Sequence, residues 1–430
     1  MIQANEYAAR RHRLFGMMEE HSAALLFGGV AKIASADEEA PFEINRNFYY
    51  LTGIDQQGSV LMLIKNEGEE KEYLFVLPFD RKKERWYGKR LTPEQAAGTS
   101  GIRNVLLTTS LQGKINTLLD PNMREYGDLS TLYLDLDREI KIDDAASTRI
   151  YKEDILRRYP HIQIMDIYPA ITQLRLHKSV HEIAEMRAAI TTTKNALMST
   201  WNILRPDIRE FELADEFLHA VNDDNQYQGL AFPTIMASGI HATCLHYPTP
   251  LGVVGPNDLV LMDLGARYHY YNADVTRTVP ANGRYSPEQR TAYEIVLRCN
   301  ELVARYAKPG ITIRELNRIT TNYLAEECVK AGFLKNKEDI SEYFFHSVSH
   351  LIGLDTHDPY LTPVDRSYND LPLEAGMIIS DEPGLYMEDR GIGIRIEDDL
   401  LITETGCEVL TKDIIKDPDQ IETFLASRKK

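Results

Sequence analysis

Cysteine is scarce in this sequence. Cys244, Cys299, Cys328 and Cys407 are spread through 430 positions, with no Cys-x-x-Cys pair and no zinc-type spacing. Four isolated thiols do not make a disulfide framework, and they point to a reducing compartment. Long apolar runs are also missing: no stretch reaches the ~18 residues of a membrane-spanning helix. Residues 1–20 carry Glu6, Arg10, Arg11, Arg13, Glu19 and Glu20 around no apolar centre, so they do not read as a signal peptide. Positive charge is in deficit, 48 Lys plus Arg against 65 Asp plus Glu, a formal net charge of −17. Phosphate would be repelled, which argues against nucleic acid or an anionic membrane as partner. No internal repeat and no low-complexity tract is visible. The expectation is a soluble, cytoplasmic protein. Its 43% hydrophobic and 26% charged content is ordinary globular composition. At ~100–200 residues per domain, two or three domains are expected.

The first ~170 residues read as mixed α/β. Residues 1–20 have helical spacing, and the strand-sized runs are Ala23–Phe27, Ser59–Ile64, Tyr73–Leu77, Thr131–Leu134 and Ile162–Ile167. The basic stretch Arg81–Arg90, with Trp86 and Tyr87, reads as an exposed segment. The pattern changes near 172–178, which divides the chain into domains 1–173 and 174–430. Ser179 with Glu182 forms a capping box opening a helix that runs to about Leu204 and ends at Pro206. Ser286-Pro287-Glu288-Gln289 opens another, to about Ala307 before Pro309-Gly310, and Thr312 with Glu315 opens a third, ending near Gly332. Strands are expected at 258–265, 269–279, 376–382 and 392–402, which makes the second half α+β.

The chemistry lies in polar residues set among apolar ones. Asp263 sits in Leu259–Gly265, Asp274 in Tyr270–Val279, Glu382 ends Met377–Glu382, Glu397 ends Ile392–Glu397, and His350 sits in Val348–Gly353. A buried, isolated carboxylate costs several kcal/mol unless paired, protonated or metal-bound. Any one of these acids alone reads best as a surface residue on a half-buried strand; four with a histidine do not. Alternation along a strand puts Asn272, Asp274 and Thr276 on one face, and Arg395 with Glu397 on one face. Carboxylates with one histidine form a hard, oxygen-rich set suited to Mn²⁺, Fe²⁺ or Co²⁺. Their charge calls for about two dications, and a pair ~3.5–4 Å apart is the apparatus of amide hydrolysis.

These residues resemble the pita-bread metallopeptidases, specifically aminopeptidase P and prolidase. The resemblance rests on Met262-Asp263-Leu264-Gly265-Ala266, Asn272-Ala273-Asp274-Val275-Thr276-Arg277-Thr278, His346 through His350 to His357-Asp358, Glu382-Pro383-Gly384-Leu385-Tyr386 and Gly393-Ile394-Arg395-Ile396-Glu397-Asp398, in the family's order. It runs on from about Lys178, and reaches the first half through Arg46–Gly53 and Trp86–Arg90. It implies an α+β chain, with a mixed α/β N-terminal domain followed by a pita-bread catalytic domain. It implies two divalent metal ions, manganese foremost. Asp263 would hold one metal through both oxygens, Asp274 and Glu397 would bridge, and His350 and Glu382 would complete the second metal's shell, with Glu382 also shuttling protons. His246 would lie near the substrate, His357 at the developing oxyanion, and His346 on the proline side. Arg395 would fix the carboxylates, and Tyr386 would support the transition state. Thr276 reads equally as a hydrogen-bond donor to a carboxylate or as plain β-propensity. Trp86 would reach a neighbouring subunit's active site, which implies a homo-oligomer, and Arg366 would bind substrate. Two features depart from the pattern: His241 stands where asparagine is usual, and the loop from Arg366 to Glu382 looks longer.

The resemblance implies a metallo-aminopeptidase acting on peptides with proline second. A prolidase restricted to Xaa-Pro dipeptides uses the same chemistry. A methionine aminopeptidase would normally lack such an N-terminal half. A non-catalytic binding protein of this fold would have lost ligands, and all five are present. His12, His21, His161, His219 and His269 read as structural or surface histidines, and His177 and His181 as solvated.

Overall fold

The computed structural model describes residues 2–123, 125–136, 147–224, 228–359 and 368–428. They fall into two compact units, Met1–Leu174 and Arg175–Lys430.

The first unit is built on a mixed sheet of β1 (Ser22–Phe27), β2 (Val60–Asn66), β3 (Glu69–Val76), β4 (Val105–Leu107), β5 (Thr131–Leu134) and β6 (Gln163–Asp166). The order across it is β4-β3-β2-β1-β5-β6. β1 is antiparallel to β2 and parallel to β5, and every residue of β1 is buried. That explains its continuous apolar run, since a central strand is covered on both faces. All five expected runs fall on strands. β4 was not expected, because three residues are too short to show a period. The helix Ala4–Met17 buries Arg10 and Arg11. Their guanidinium groups bond the carbonyls of Tyr50, Leu51 and Ser100, and Arg11 pairs with Glu72 at 2.9 Å. The basic segment forms the helix Arg81–Tyr87, capped by Asp80 and with no buried residue.

In the second unit the capping boxes at Ser179, Ser286 and Thr312 open the helices Val180–Ile203, Pro287–Tyr306 and Ile313–Lys330. The helix Glu210–Asp224 has no counterpart in the sequence expectations. The residue before it is Arg209, so the usual Ser/Thr/Asp start signal is missing. The strands are β7 (Ile235–Ser238), β8 (Leu259–Leu264), β9 (Val275–Pro280), β10 (Ile378–Asp381), β11 (Gly384–Met387), β12 (Ile392–Arg395), β13 (Asp398–Ile402) and β14 (Cys407–Val409). They form an antiparallel sheet β9-β8-β7, a second one β10-β13-β14, and the hairpin β11-β12.

The continuous strands expected at 269–279 and 392–402 are each broken. Tyr271–Asn272 pairs with Arg267–Tyr268 before β9 begins. β12 ends at Arg395, and β13 starts at Asp398 in a different sheet. Period-2 alternation does not reveal where a strand changes partner.

Candidate metal centre

The candidate ligands lie where the ladders break. Asp263 is on β8, paired in register with Thr276 of β9. Asp274 stands just before β9, Glu382 between β10 and β11, and Glu397 between β12 and β13. His350 adjoins the bridge between Leu351 and Ile379. Main-chain bonds hold these breaks together: Glu382 N to Val348 O at 3.0 Å, Ser380 N to His350 O at 2.8 Å, and Glu397 N to Thr276 O at 3.0 Å.

Four of the five side chains converge on one point, and Asp263 lines the same cavity. His350 Nε2 lies 3.5 Å from Asp274 Oδ2, 3.4 Å from Glu382 Oε1 and 4.0 Å from Glu397 Oε1. Asp274, His350 and Glu397 each offer a donor atom, all within 4.8 Å of one another. His350 Nδ1 donates to Leu351 O at 3.1 Å, which leaves Nε2 as a lone pair facing the carboxylates. Arg395 reaches Asp263 Oδ2 at 2.5 Å, Thr276 Oγ1 at 3.0 Å and Tyr386 Oη at 3.0 Å. Thr276 Oγ1 donates to Glu397 Oε2 at 2.6 Å, so the threonine orients a carboxylate. Asn272 Nδ2 donates to Gly353 O at 3.2 Å.

The electrostatics call for added positive charge. Burial first, and then Glu397, Asp263, Asp399 and Glu382, hold the Asp274 carboxyl well above the usual range. Burial and Asp263 push Glu382 up to about 8 against the pull of Arg395. Glu397 is raised by burial, Glu382 and Asp263. His350 cannot neutralise them, since burial and His357 lower it to about 3. Four carboxylates therefore face one fixed cation, Arg395, and Asp263 Oδ1 is buried without a hydrogen-bond partner. An unpartnered carboxylate oxygen, three carboxyls that resist ionising and a neutral imidazole lone pair together fit divalent cations.

The group forms one wall of a cavity of about 890 Å³. His246, His346 and His357 line it, together with the apolar Phe232, Leu245 and Tyr247. His346 Nδ1 donates to Ser347 O at 2.8 Å, and its Nε2 accepts from Tyr386 Oη at 2.9 Å. Burial and Arg395 lower His346 to about 4, so it is neutral. The ring of His357 lies 4.2 Å from that of His350. Trp86 belongs to the other unit and is 75% exposed. Arg366 lies outside the described residues.

Three comparisons bear on this geometry. Residues 184–404 match the model of metallopeptidase family M24, and residues 7–125 match the aminopeptidase P N-terminal domain. The chain belongs to metallopeptidase family M24. The M24 chain is 34% identical to the Xaa-Pro aminopeptidase of Escherichia coli (strain K12) over 100% of its own length and 99% of the relative's. It superposes on a solved structure of the aminopeptidase P of E. coli with the inhibitor Pro-Leu at a TM-score of 0.88, with 33% identity and 99% of each chain covered. A zinc-substituted E. coli aminopeptidase P in complex with product gives 0.89, at 33% identity over 100% of this chain and 99% of that one. The M24 chain is thus a two-domain metallopeptidase, an aminopeptidase P-type N-terminal domain followed by the pita-bread domain, with divalent metal as its cofactor.

Sequence reading missed several supporting groups in this M24 chain. Ser380 Oγ lies 3.2 Å from Glu382 Oε1 and receives His350 N at 2.9 Å. Its place two residues before Glu382 on a strand was the available signal. Asp358 is buried between Arg175 at 2.7 Å and Lys178 at 2.9 Å, and only its place beside His357 marked it.

Proposed function

We propose that this chain is a dinuclear Xaa-Pro aminopeptidase, releasing the first residue of peptides whose second residue is proline. The carrying observation is the convergence of Asp274, Glu382 and Glu397 on His350, with Asp263 lining the same cavity, in a chain matched end to end by the E. coli enzyme. In this reading Asp263 would hold one metal, Asp274 and Glu397 would be shared with a second, and His350 and Glu382 would complete the second metal's ligand set. The oxygen-rich set favours Mn²⁺. When bound, the metals supply Lewis acidity, polarising the scissile carbonyl and acidifying water.

The chain's own groups do the rest. Glu382 takes the proton of the attacking water and returns it to the departing proline nitrogen, with Ser380 orienting it. His357, lowered by burial and His246, offers a neutral N–H to the developing oxyanion. His346, held between Ser347 and Tyr386, borders the proline side, and His246 borders the substrate's path. Arg395 fixes Asp263 while Tyr386 bridges Arg395 to His346. An imide bond to proline lacks the N–H that general peptidases use, so recognition rests on ring shape. Trp86 and Arg366 are proposed substrate contacts, Trp86 from a neighbouring copy in a homo-oligomer. The four free thiols support placing the enzyme in the cytoplasm.

The test is hydrolysis by manganese-loaded protein of a Xaa-Pro dipeptide and of a Xaa-Pro-Yaa peptide. The aminopeptidase cleaves the longer peptide; turnover confined to the dipeptide assigns a prolidase instead.

A further inference from the structure

One carboxylate away from the metal centre holds both ends of the segment that carries His246. Glu210 is fully buried, at the start of the helix Glu210–Asp224. Its Oε1 accepts from Ser238 N at 2.8 Å, Ser238 Oγ at 2.7 Å and His241 Nδ1 at 2.9 Å, and its Oε2 accepts from Gly252 N at 2.7 Å. Ser238 ends β7, and Gly252 closes the loop that follows. Between them lie the turn Gly239–Thr243 and then Leu245, His246, Tyr247 and Pro248, all four lining the cavity. The ring of His241 stacks on that of Tyr247 at 4.6 Å and 16°. The Tyr247 hydroxyl also faces Glu210, which adds to burial in raising it.

The clamp is tight at the backbone. A Cβ at Gly252 would come within 2.7 Å of the Glu210 carboxylate, so the loop passes too close for a side chain. Glu210 N also donates to Gly252 O at 3.0 Å. Four donors converge on the Glu210 carboxylate, three on Oε1 and one on Oε2, about the number a carboxylate accepts. Although burial pushes it up, the bonds from His241, Ser238 and Gly252 hold Glu210 below the usual range. Removing any one donor leaves this buried charge less well satisfied, so the donors support one another.

We propose that Glu210 and His241 are positioning residues, fixing the Leu245–Pro248 wall and with it His246 at the substrate cavity. They touch neither substrate nor metal, and they act through the loop. His241, which departs from the family's usual asparagine, adds an aromatic stack on Tyr247 to the hydrogen bond. The inference rests on the aminopeptidase reading for its kinetic part and on geometry alone for its structural part.

The test compares His241→Leu and His241→Asn with the parent, all manganese-loaded. KM and kcat are measured on a Xaa-Pro-Yaa peptide, and hydrogen exchange is followed over residues 239–251. Leucine removes both the bond and the stack. KM then rises about tenfold with kcat within about threefold, metal content is unchanged, and amides of 239–251 exchange faster. Asparagine keeps a donor for Glu210 and recovers most of the loss in KM. A His241→Leu enzyme with parental KM and parental exchange overturns the proposal. Where the parent itself cleaves no Xaa-Pro peptide, the peptidase reading fails, and the exchange comparison alone decides whether the pair holds the loop.

Discussion

Buried acids of the second unit divide by the charges around them. Asp358 lies between Arg175 and Lys178, and Asp398 bonds Arg277 at 2.8 Å and Lys416 at 2.6 Å. Burial pushes both up, but their cations hold both carboxyls below the usual range. Asp274, Glu382 and Glu397 are raised instead, by burial first and then by neighbouring acids, which Arg395 offsets only in part at Glu382 and Glu397. Glu397, Asp398 and Asp399 are consecutive, and the run of letters does not say which of them faces the cavity and which faces Arg277. Two predictions belong at this scale. Asp358→Asn leaves buried Lys178 without its counter-charge and Arg175 with Asp355 at 2.7 Å, and should cost about 3 kcal/mol in denaturant unfolding. Because the folded Asp358 is depressed, its stabilisation is present above its unfolded value near 3.9 and is lost as pH falls through the folded value. The parent should therefore lose stability on acidification more steeply than the variant. Asp274→Ala should abolish hydrolysis and reduce bound metal per chain, yet its metal-free form should unfold no earlier than the metal-free parent, since one carboxyl of a repelling group is gone. Retained turnover, measured by peptide hydrolysis with metal analysis, would refute the dinuclear site.

At the scale of elements, the three helices opened by capping boxes were legible because their start signals are local, whereas the helix Glu210–Asp224, without such a signal, was not. Ser179, Ser286 and Thr312 each accept from the backbone three residues on, as the capping boxes implied. The longer apolar strands were legible, but the short β4, β7, β11 and β14 were not expected, and strand continuity was not legible. The breaks at Ala273, at Glu382 and at Ile396–Glu397 depend on pairing with distant strands, and they are what aims three carboxylates at one point. Gly265 shows how close these elements approach: a Cβ there would lie 1.9 Å from Ala273 O, in the residue before Asp274. Gly265→Ala should therefore destabilise by about 1–3 kcal/mol or more and shift the Asp274 backbone. A lower melting temperature together with weaker manganese binding in a titration is the expected pair of results; lower stability with parental affinity would show that the shift is absorbed elsewhere.

For the molecule as a whole, metal binding should be felt as stability. A ligand that binds only the folded site adds about 2.7 kcal/mol at one hundred times its Kd. Calorimetry with manganese and then with excess chelator should raise and lower the transition of the Arg175–Lys430 unit, because the candidate ligands all lie there. Equal transitions in the two conditions would contradict a resident metal. The sequence by itself determined three helix starts, the longer strand-sized runs, the five metal candidates and the family they resemble. These are properties of short windows: a cap, an apolar period, or an acid misplaced among apolar neighbours. Only the tertiary structure decided which acids share a cation and which share a cavity, that Thr276 bonds Glu397, and that Glu210 grips both ends of the His246 loop. The physical reason is the same in each case. A carboxylate's state depends on the charges and donors within a few ångströms, and the fold draws these from positions far apart in the chain.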